Sequence, residues 1–428
     1  MAERLARDLA TQIRNDLGIL PTRSLPIMSG RNQASVNAGH DRPEQSPIRI
    51  LVCAGETSGD MYGAAILREL RAIAQRPLDC YGIGGDQMKA EGVELFAHAS
   101  VTGVMGFWEV LKRYRFFSRL LKTITGLLDT RRPDILLTID YPGFNLRIAA
   151  QARRRGIRTV HYVCPQVWAW HRERIPKIAR IVDRLIALFP FEPALFDGTG
   201  LNITFEGHPL ADQVAATLAE PPPILPWGAG RRIALFPGSR PAEVARLLPV
   251  EIAAARLLEA AVGPCSFIIP APTPTTRRAV EAILARLPDK PASLAVSDGL
   301  SRQILRQAEA AVIKSGTSTL EASLLLCPCV VVYKVSPLTY AIARRLLTGL
   351  SHVGLVNILA KRTVCRELIQ GEMTPTSVAE EMARILSDAD YRAAMLEGMR
   401  EVNALIGPPG ATARAAAEIL KEIPCASK

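Results

Sequence analysis

Short apolar runs alternate with amphipathic segments along most of the chain from residue 48 onward. Ile48–Ala54, Ile135–Asp140 and Thr159–Val163 have the composition of buried strands, while Asp60–Ala74 and Phe144–Arg155 show helical spacing of apolar residues. This alternation predicts parallel strands joined by helices, as in a doubly wound α/β sheet.

The same alternation restarts after a proline-rich break. Pro221–Pro223 and Pro226 suit a semi-rigid hinge. Four further strand-like runs follow the break: Ile233–Phe236, Phe267–Ile269, Ala310–Ile313 and Val330–Val335. We therefore expect an α/β protein of two Rossmann-like domains facing a cleft, where strand ends and helix N-termini converge on a ligand.

Three regions follow from this pattern. Residues 1–46 are expected to be a flexible N-terminal extension, although Leu5, Leu9, Ile13 and Leu17 predict a short amphipathic helix that could lie at a membrane interface. Residues 47–220 would form the N-terminal Rossmann-like domain. Residues 221–428 would form the C-terminal one, whose last helices could pack back on the first domain.

Composition and charge narrow the classes of protein. Lys plus Arg exceeds Asp plus Glu by 52 to 41, a net charge of +11, which favours nucleic acid, anionic lipid or phosphorylated metabolites as partners. No apolar run reaches the roughly 18 residues of a membrane-spanning helix. The eight cysteines lack zinc or redox spacing, which indicates buried free thiols. No metal is expected, and Asp388-Ala389-Asp390 is interpreted as the start of a helix.

Four predicted strands end in a glycine-containing loop that opens a helix. These loops are Gly55–Asp60, Gly82–Gly85, Pro237–Arg240 and Ser315–Thr319. Glycine lets backbone N–H groups approach a ligand closely, and a helix N-terminus favours phosphate. Because Gln87 stands where a dinucleotide fingerprint needs glycine, and no loop carries a Walker lysine, NAD and P-loop chemistry are not indicated.

Three charged residues stand at these strand ends. Arg240 could bind a diphosphate through two hydrogen bonds, or be an exposed arginine at a helix start. Asp140 could act as a general base, or cap the next helix. Glu321, four residues after Thr317, could bind two ribose hydroxyls, or interact only with the helix dipole.

Aromatic residues mix with cations in one segment. Met105–Leu121 and its flank fit either a core helix with a solvated face or an interfacial helix on anionic lipid. The expected membrane contacts are Phe107, Trp108, Lys112, Arg113, Arg115, Phe116, Phe117, Arg119 and Lys122. A second aromatic cluster, Trp168 to Arg172, follows a predicted strand and is expected near the cleft.

Several motifs, in order, resemble those of one known family. They are Gly55–Asp60, Val104–Leu111, Ile139–Asn145, His161–Trp170, Pro190–Glu192, Gly207–Pro209, Pro237–Arg240, Ser315–Thr317 and Asn357. Over roughly residues 48–420 the chain is similar to the lipid-A-disaccharide synthase family of GT-B glycosyltransferases. That resemblance implies an inverting transfer of 2,3-diacylglucosamine from its UDP form to 2,3-diacylglucosamine 1-phosphate, which gives a β-1,6 disaccharide 1-phosphate for lipid A.

The resemblance also implies roles for individual residues. Asp140 would be the general base and Arg240 the diphosphate clamp. The donor site would comprise Gly238, Ser239, Arg240, Gly316, Thr317, Glu321 and Asn357. The acceptor side of the cleft, in the N-terminal domain, is expected to include Glu56, Ser58, Asp60, Trp168 and Trp170.

Partners and location follow from the same resemblance. The partners would be the two acylated sugars and anionic inner-membrane lipid, not nucleic acid, with a homodimer as a further option. The enzyme would need no cofactor and would bind peripherally to the cytoplasmic face of the inner membrane. A non-hydrolysing UDP-sugar 2-epimerase of the same fold is the alternative enzyme. A polyanion-binding protein is the alternative without catalysis, and it would lose nucleic-acid affinity steeply with salt.

Overall fold

The computed structural model describes residues 46–102, 114–169, 172–336, 340 and 351–424. The chain divides into two units. The first runs to Pro209 and includes the chain from Gly410 onward, and the second is Leu210–Pro409. The predicted boundary at residue 220 lies one helix later than this division. The predicted helix over residues 5–17 lies outside the described residues.

The first unit is built on a seven-stranded parallel sheet. Its strands are β1 (Ile48–Ala54), β2 (Leu78–Gly84), β3 (Glu94–His98), β4 (Ile135–Ile139), β5 (Arg158–Tyr162), β6 (Arg184–Ala187) and β7 (Asn202–Phe205). They lie side by side in the order β3-β2-β1-β4-β5-β6-β7. The strands predicted at Ile48–Ala54, Ile135–Asp140 and Thr159–Val163 are therefore present, with ends that differ by one residue at most.

The second unit repeats the plan with six parallel strands. They are β8 (Arg231–Phe236), β9 (Cys265–Ala271), β10 (Leu294–Asp298), β11 (Ala310–Lys314), β12 (Cys329–Tyr333) and β13 (Glu367–Ile369). Their order is β10-β9-β8-β11-β12-β13. Both sheets have the order of a doubly wound Rossmann-like fold, which confirms the predicted α/β class.

Helices connect these strands. In chain order they are α1 (Thr57–Ile73), α2 (Asp86–Ala90), α3 (Ala99–Thr102), α4 (Tyr114–Thr130), α5 (Pro142–Arg154), α6 (Ile175–Ile181), α7 (Pro209–Ala219), α8 (Pro241–Val262), α9 (Pro274–Leu284), α10 (Ser301–Gln307), α11 (Ser318–Leu324), α12 (Leu355–Ala360), α13 (Pro375–Ser387), α14 (Ala389–Ile406) and α15 (Ala411–Lys421). Within the described part of the chain, none of them is long and apolar enough to cross a membrane.

The last helix belongs to the first unit. Helix α15 packs against α1, and Ala415, Ala416 and Ile419 join the core beside β1. Arg184 of β6 anchors the same helix, with Nη1 2.6 Å from Glu418 Oε2 and Nε 2.8 Å from Glu422 Oε1. Because Arg184 is buried, these two ion pairs also compensate its desolvation.

Alternation along β1 explains why the sheet is covered on both faces. Ile50 and Val52 pack into one core cluster, while Leu51 and Cys53 pack into the cluster on the opposite face. All four side chains are fully buried. A continuous apolar run is the sequence pattern of a strand with helices on both sides.

Two smaller predictions are confirmed. The seven cysteines within the described residues are buried and free, as their scattered positions indicated. Asp388 caps α14, because its Oδ1 accepts the N–H of Tyr391 at 2.9 Å. The Asp388-Ala389-Asp390 triplet therefore starts a helix.

Glu251 is an ionisable group in an apolar interior. It lies in α8, is fully buried, and neither carboxyl oxygen has a hydrogen-bond partner among the described residues. With Phe267, Val312 and Met382 it lines a small cavity under the sheet. Burial raises the pKa of Glu251 well above its ordinary value of 4.5, so the folded protein retains the neutral acid.

We expect Glu251→Met to raise the free energy of unfolding, and to raise it more at pH 8 than at pH 5. Above the ordinary pKa the unfolded chain releases the Glu251 proton while the folded chain holds it, so stability falls as the pH rises toward the folded-state pKa. The Glu251→Met gain in the free energy of unfolding should therefore be the larger of the two at pH 8. Urea unfolding at both pH values measures the free energy of unfolding.

Glu251→Gln, which cannot ionise, is the control. An equal gain from Glu251→Met at both pH values would contradict the prediction.

Candidate active site

The candidate residues lie where the strand order of each sheet reverses. In the first unit β2 lies on one side of β1 and β4 on the other, and β9 and β11 flank β8 in the same way. Such a reversal leaves a crevice at the carboxyl ends of the two central strands, where ligands of open parallel sheets bind. Gly55 and Asp140 follow the two central strands of the first unit. Arg240 and Gly316 stand at the corresponding ends in the second unit.

Asp140 follows β4 in a strained backbone conformation. Its φ is +47° and that of Tyr141 is +49°, in the left-handed region that residues other than glycine rarely adopt. Asn145 stabilises this turn, because its Nδ2 lies 2.7 Å from the Asp140 carbonyl oxygen and 3.1 Å from those of Ile139 and Cys53. Backbone strain held by surrounding contacts is common at functional sites.

The Asp140 carboxyl group has a raised pKa. Burial disfavours its charged form, and the N–H of Tyr141, which donates to the carboxylate, offsets part of that effect. The carboxylate is therefore a stronger proton acceptor than an exposed aspartate. The alternative role of Asp140, as the cap of α5, does not fit the structure well, because Tyr141 occupies the N-cap position of that helix.

The ring of Tyr141 explains the glycine at position 55. A Cβ on Gly55 would lie 2.5 Å from Tyr141 Cγ. The Tyr141 hydroxyl donates to the Thr102 carbonyl oxygen at 3.1 Å, and Thr102 Oγ1 donates to the Gly55 carbonyl oxygen at 2.9 Å. Burial, with a contribution from the charge of nearby Glu56, raises the pKa of Tyr141 to about 12. The structure thus places Glu56 beside the Asp140 turn.

The other two residues of the first loop differ from Glu56. Ser58 is exposed in the first turn of α1. Asp60 is 4% exposed, and its carboxylate accepts the N–H groups of Gly85, Gln87 and Met88 at 2.6–3.1 Å. Asp60 therefore caps α2, and its place on the acceptor side of the cleft stays a prediction.

Trp168 lies in an aromatic cluster. Its ring meets Phe189 and Phe191 edge-on, with centroids 6.4 and 5.6 Å away, and those two rings stack on each other. The Glu192 carboxylate accepts the N–H groups of Leu188 and Phe189 and so fixes the backbone beside the cluster. Burial raises the pKa of Glu192 to about 7. Trp170 lies outside the described residues.

In the second unit, the loop after β8 is shaped by Gly238 and Glu243. Gly238 has φ +106°, and a Cβ there would lie 2.9 Å from Glu243 Cβ, so no larger residue fits. The Ser239 carbonyl oxygen accepts a 2.7 Å hydrogen bond from Thr276 Oγ1, which fixes the loop against α9. Arg240 precedes α8 with its side chain 58% exposed and Nη1 3.6 Å from Glu243 Oε1. The guanidinium is thus accessible beside a helix N-terminus.

Glu321 lies one turn after Thr317, as the spacing predicts. Its N–H donates to the Thr317 carbonyl oxygen at 3.2 Å, and Gly316 precedes Thr317 at the end of the β11 loop. The Glu321 carboxylate is largely buried, with Oε1 3.1 Å from Arg302 Nη1. Arg302 also donates to Gln213 of α7. Sequence reasoning missed Arg302, which orients the Glu321 carboxylate.

Asn357 lies in the core instead of at a surface. Its Nδ2 donates to the Cys365 carbonyl oxygen and to Glu367 Oε1, and its Oδ1 accepts the N–H groups of Val364 and Cys365. Glu367 in turn accepts the N–H of Gly354 at 2.9 Å, at the start of α12. The Asn357 side chain is fully buried, so its observed contacts are to the backbone around Cys365 and to Glu367. Sequence reasoning missed Glu367, whose only signal was a carboxylate within a short apolar strand.

Sequence reasoning also missed a cation at the end of β11. Lys314 is the last residue of that strand, and its Nζ lies 3.1 Å from Glu243 Oε1. The sequence contains a signal for Lys314, because this charged residue ends an apolar run just before a glycine loop. Asp140 ends an apolar run of the first unit in the same way.

The basic-aromatic segment is described only from Tyr114 onward, as α4. Phe107, Trp108, Lys112 and Arg113 lie outside the described residues. Phe116 and Phe117 are half-buried against the core, and Phe117 meets Phe144 edge-on at 6.3 Å. Arg115, Arg119 and Lys122 are exposed. The helix is therefore amphipathic, with its two phenylalanines turned partly inward and its cations outward.

Solved structures of low sequence identity share this fold. The glycosyltransferase of kitacinnamycin has a TM-score of 0.61 at 17% identity, covering 88% of this chain and all of that one. The UDP-GlcNAc 2-epimerase from Neisseria meningitidis, solved with UDP-GlcNAc bound, has a TM-score of 0.58 at 12% identity over 87% of this chain and all of that one. At such identities the likeness shows the fold alone, and it confirms the predicted GT-B architecture.

Sequence comparison is more specific. The family model described as Lipid-A-disaccharide synthetase matches residues 50–419. The lipid-A-disaccharide synthase of Anaeromyxobacter dehalogenans (strain 2CP-1) is 42% identical over 382 residues, which cover 87% of this chain and 97% of that relative. The match includes both loops that carry Asp140 and Arg240. The chain therefore belongs to the lipid-A-disaccharide synthase family of glycosyltransferases.

Proposed function

We propose that this chain joins UDP-2,3-diacylglucosamine to 2,3-diacylglucosamine 1-phosphate and releases UDP. The observation that carries the proposal is the turn at Asp140. There a carboxyl group of raised pKa lies at the point where the strand order of the first sheet reverses. Family membership supports the two substrates, which are an acylated UDP-sugar and a lipid A precursor.

Asp140 would accept the proton of the acceptor 6-hydroxyl. The oxygen of that hydroxyl then bonds to the anomeric carbon of the donor sugar while the bond from that carbon to the UDP oxygen breaks. The electron pair of the broken bond leaves with UDP, and attack opposite the leaving group gives inversion and a β-1,6 linkage. Loss of such a base costs on the order of 10² to 10⁴ in rate.

Arg240 would bind the diphosphate of the donor. A planar guanidinium makes two parallel hydrogen bonds to phosphate oxygens and offsets the charge that grows on the leaving group. Glu321, oriented by Arg302, would accept hydrogen bonds from the ribose hydroxyls. Gly238, Ser239, Gly316 and Thr317 would let the nucleotide approach the backbone, while Asn357 acts through Glu367.

A UDP-release assay tests the reaction. Purified protein should release UDP when both lipid substrates are present, and only at background rate with either one alone. Conversion of soluble UDP-N-acetylglucosamine to its 2-epimer, with no net release of UDP, would instead favour the epimerase alternative. The known epimerases resemble this chain in fold alone.

We further propose peripheral binding to the cytoplasmic face of the inner membrane. Both substrates carry acyl chains, and α4 turns Arg115, Arg119 and Lys122 to solvent. Each cation near an anionic bilayer contributes about 1 kcal/mol. The half-buried Phe116 and Phe117 give the apolar side of the helix.

Reversing the three α4 cations to glutamate should release the protein from anionic vesicles, most strongly at low salt. Activity on detergent-dispersed substrates should survive, because Asp140 and Arg240 are unchanged. The matched control reverses Arg278, Arg286 and Lys290, which are exposed in the second unit and give the same change in net charge. Vesicle sedimentation beside a micelle assay measures both effects. Equal loss of binding in the two triple variants would show that net charge alone attracts the protein.

A further inference from the structure

We propose that Lys314 is a second cation of the nucleotide site and that it contacts the donor diphosphate together with Arg240. The inference rests on the proposed function and extends it to a residue outside the predicted donor set. It comes from a cluster of four side chains at the carboxyl ends of β8, β11 and β12: Arg240, Glu243, Lys314 and Tyr333.

The geometry of this cluster places Lys314 close to Arg240. Glu243 Oε1 lies 3.1 Å from Lys314 Nζ and 3.6 Å from Arg240 Nη1, so one carboxylate joins both cations. Lys314 Nζ also lies 5.8 Å from the ring centroid of Tyr333, within cation–π distance. Burial, with the charge of Glu243, raises the pKa of Tyr333, and the charge of Arg240 opposes this effect, so Glu243 and Arg240 both act on the ring that Lys314 approaches.

The charges in the cluster do not balance. Lys314 is only 22% exposed and Glu243 only 19%, so both ions are largely removed from water. Among the described residues, the ion pairs here combine two cations with one carboxylate, which leaves one positive charge in excess. A partly desolvated cation favours a nearby anion, because the attraction is less screened than at an open surface. The cluster is therefore prepared for an added negative group.

The position of Lys314 indicates which anion it would meet. Strand β11 lies beside β8 at the reversal of the sheet, so Lys314 and the Gly238 loop end on the same crevice. A Cβ built on Gly316 would lie 3.8 Å from Lys314 Nζ, which places the ammonium group over the glycine loop that follows its own strand. A diphosphate bound by Arg240 at the start of α8 would thus lie between two cations.

The proposed role also explains Glu243. Its Oε2 accepts the backbone N–H of Arg240 at 3.4 Å, and its Oε1 faces both the Arg240 guanidinium and Lys314 Nζ, so it positions both cations before the nucleotide binds. Pre-positioned charges lose less conformational entropy on binding than mobile ones. When the diphosphate is present, Lys314 Nζ donates to a phosphate oxygen while Glu243 retains part of its contact.

Comparing UDP with uridine separates a phosphate contact from a structural role. We expect Lys314→Met to weaken UDP binding at least tenfold while uridine affinity changes less than twofold. Lys314→Arg should retain most of the UDP affinity, because it keeps a cation at the same place. Titration calorimetry measures UDP, and ligand-observed NMR measures uridine. Lys290→Met, at an exposed lysine of the same unit, is the control and should behave as wild type.

Two results would overturn the inference. Unchanged UDP affinity in Lys314→Met would show that the ammonium group makes no phosphate contact. Equal weakening of UDP and uridine would show that Lys314 only supports the fold of the site. Failure of the proposed function is distinguishable from both, because the wild-type protein would then release no UDP in the presence of the two lipid substrates, whatever the UDP affinity of Lys314→Met.

Discussion

Replacing Asp140 by asparagine is expected to lower turnover by about 10² to 10⁴-fold while UDP affinity stays at the wild-type value. The substitution is nearly isosteric and removes only the proton acceptor, and the backbone turn is fixed by Asn145 and Tyr141. Steady-state UDP release and calorimetry with UDP measure the two quantities. Asp129→Asn, the same chemical change at an exposed aspartate of the same unit, is the control and should keep full activity.

The pH profile supplies an independent readout for Asp140. Because the base works only when ionised, activity should fall as the pH drops through its pKa. Burial raises that pKa, so the acidic limb of the wild-type profile should lie above the ordinary value of 3.8. The residual activity of Asp140→Asn should lack this limb. Near-wild-type turnover in the variant would contradict the assignment of the base.

Replacing Arg240 by alanine should weaken UDP binding and slow transfer together, each by roughly 10 to 100-fold, because charge-assisted hydrogen bonds contribute about 1.5–3 kcal/mol. The clamp would hold the diphosphate in both the ground state and the transition state. Arg240→Lys should restore only part of the loss, since an ammonium group cannot reproduce a planar fork.

Arg246→Ala is the matched control, because Arg246 is exposed in α8, the helix that Arg240 precedes, and lies six residues further along the chain. It should leave both quantities unchanged. Complete restoration by Arg240→Lys would show that charge alone matters at this position. An Arg240→Ala variant that binds UDP normally would remove the arginine from the donor site.

Local pattern predicted the sheets well because their strands are continuous apolar runs. Ile48–Ala54 has the predicted bounds, and helix α1 differs from its predicted range by a few residues at the start. The parallel, doubly wound arrangement followed from the repeated strand–helix alternation. The charged residues at strand ends could therefore be placed near a crevice from the sequence alone.

Contacts between distant parts of the chain could not be predicted in this way. Asn145 reaches a carbonyl oxygen 92 residues earlier, and Asp60 caps a helix that begins 26 residues later. A carboxylate in a first turn gives the same local signal whether it binds a substrate or caps a neighbouring helix. Lys314 was overlooked for a related reason, because its partner Glu243 lies in a different strand–helix connection.

Transfer of the sugar itself is tested most directly by following a labelled donor. The protein is incubated with UDP-2,3-diacylglucosamine carrying ¹³C in its glucosamine ring and with unlabelled 2,3-diacylglucosamine 1-phosphate. The proposed reaction predicts a disaccharide 1-phosphate whose label lies wholly in the distal sugar, joined through a β-1,6 bond, in mass and NMR spectra. Recovery of the label as a free sugar or as an epimer of the donor, with no labelled disaccharide, would contradict it.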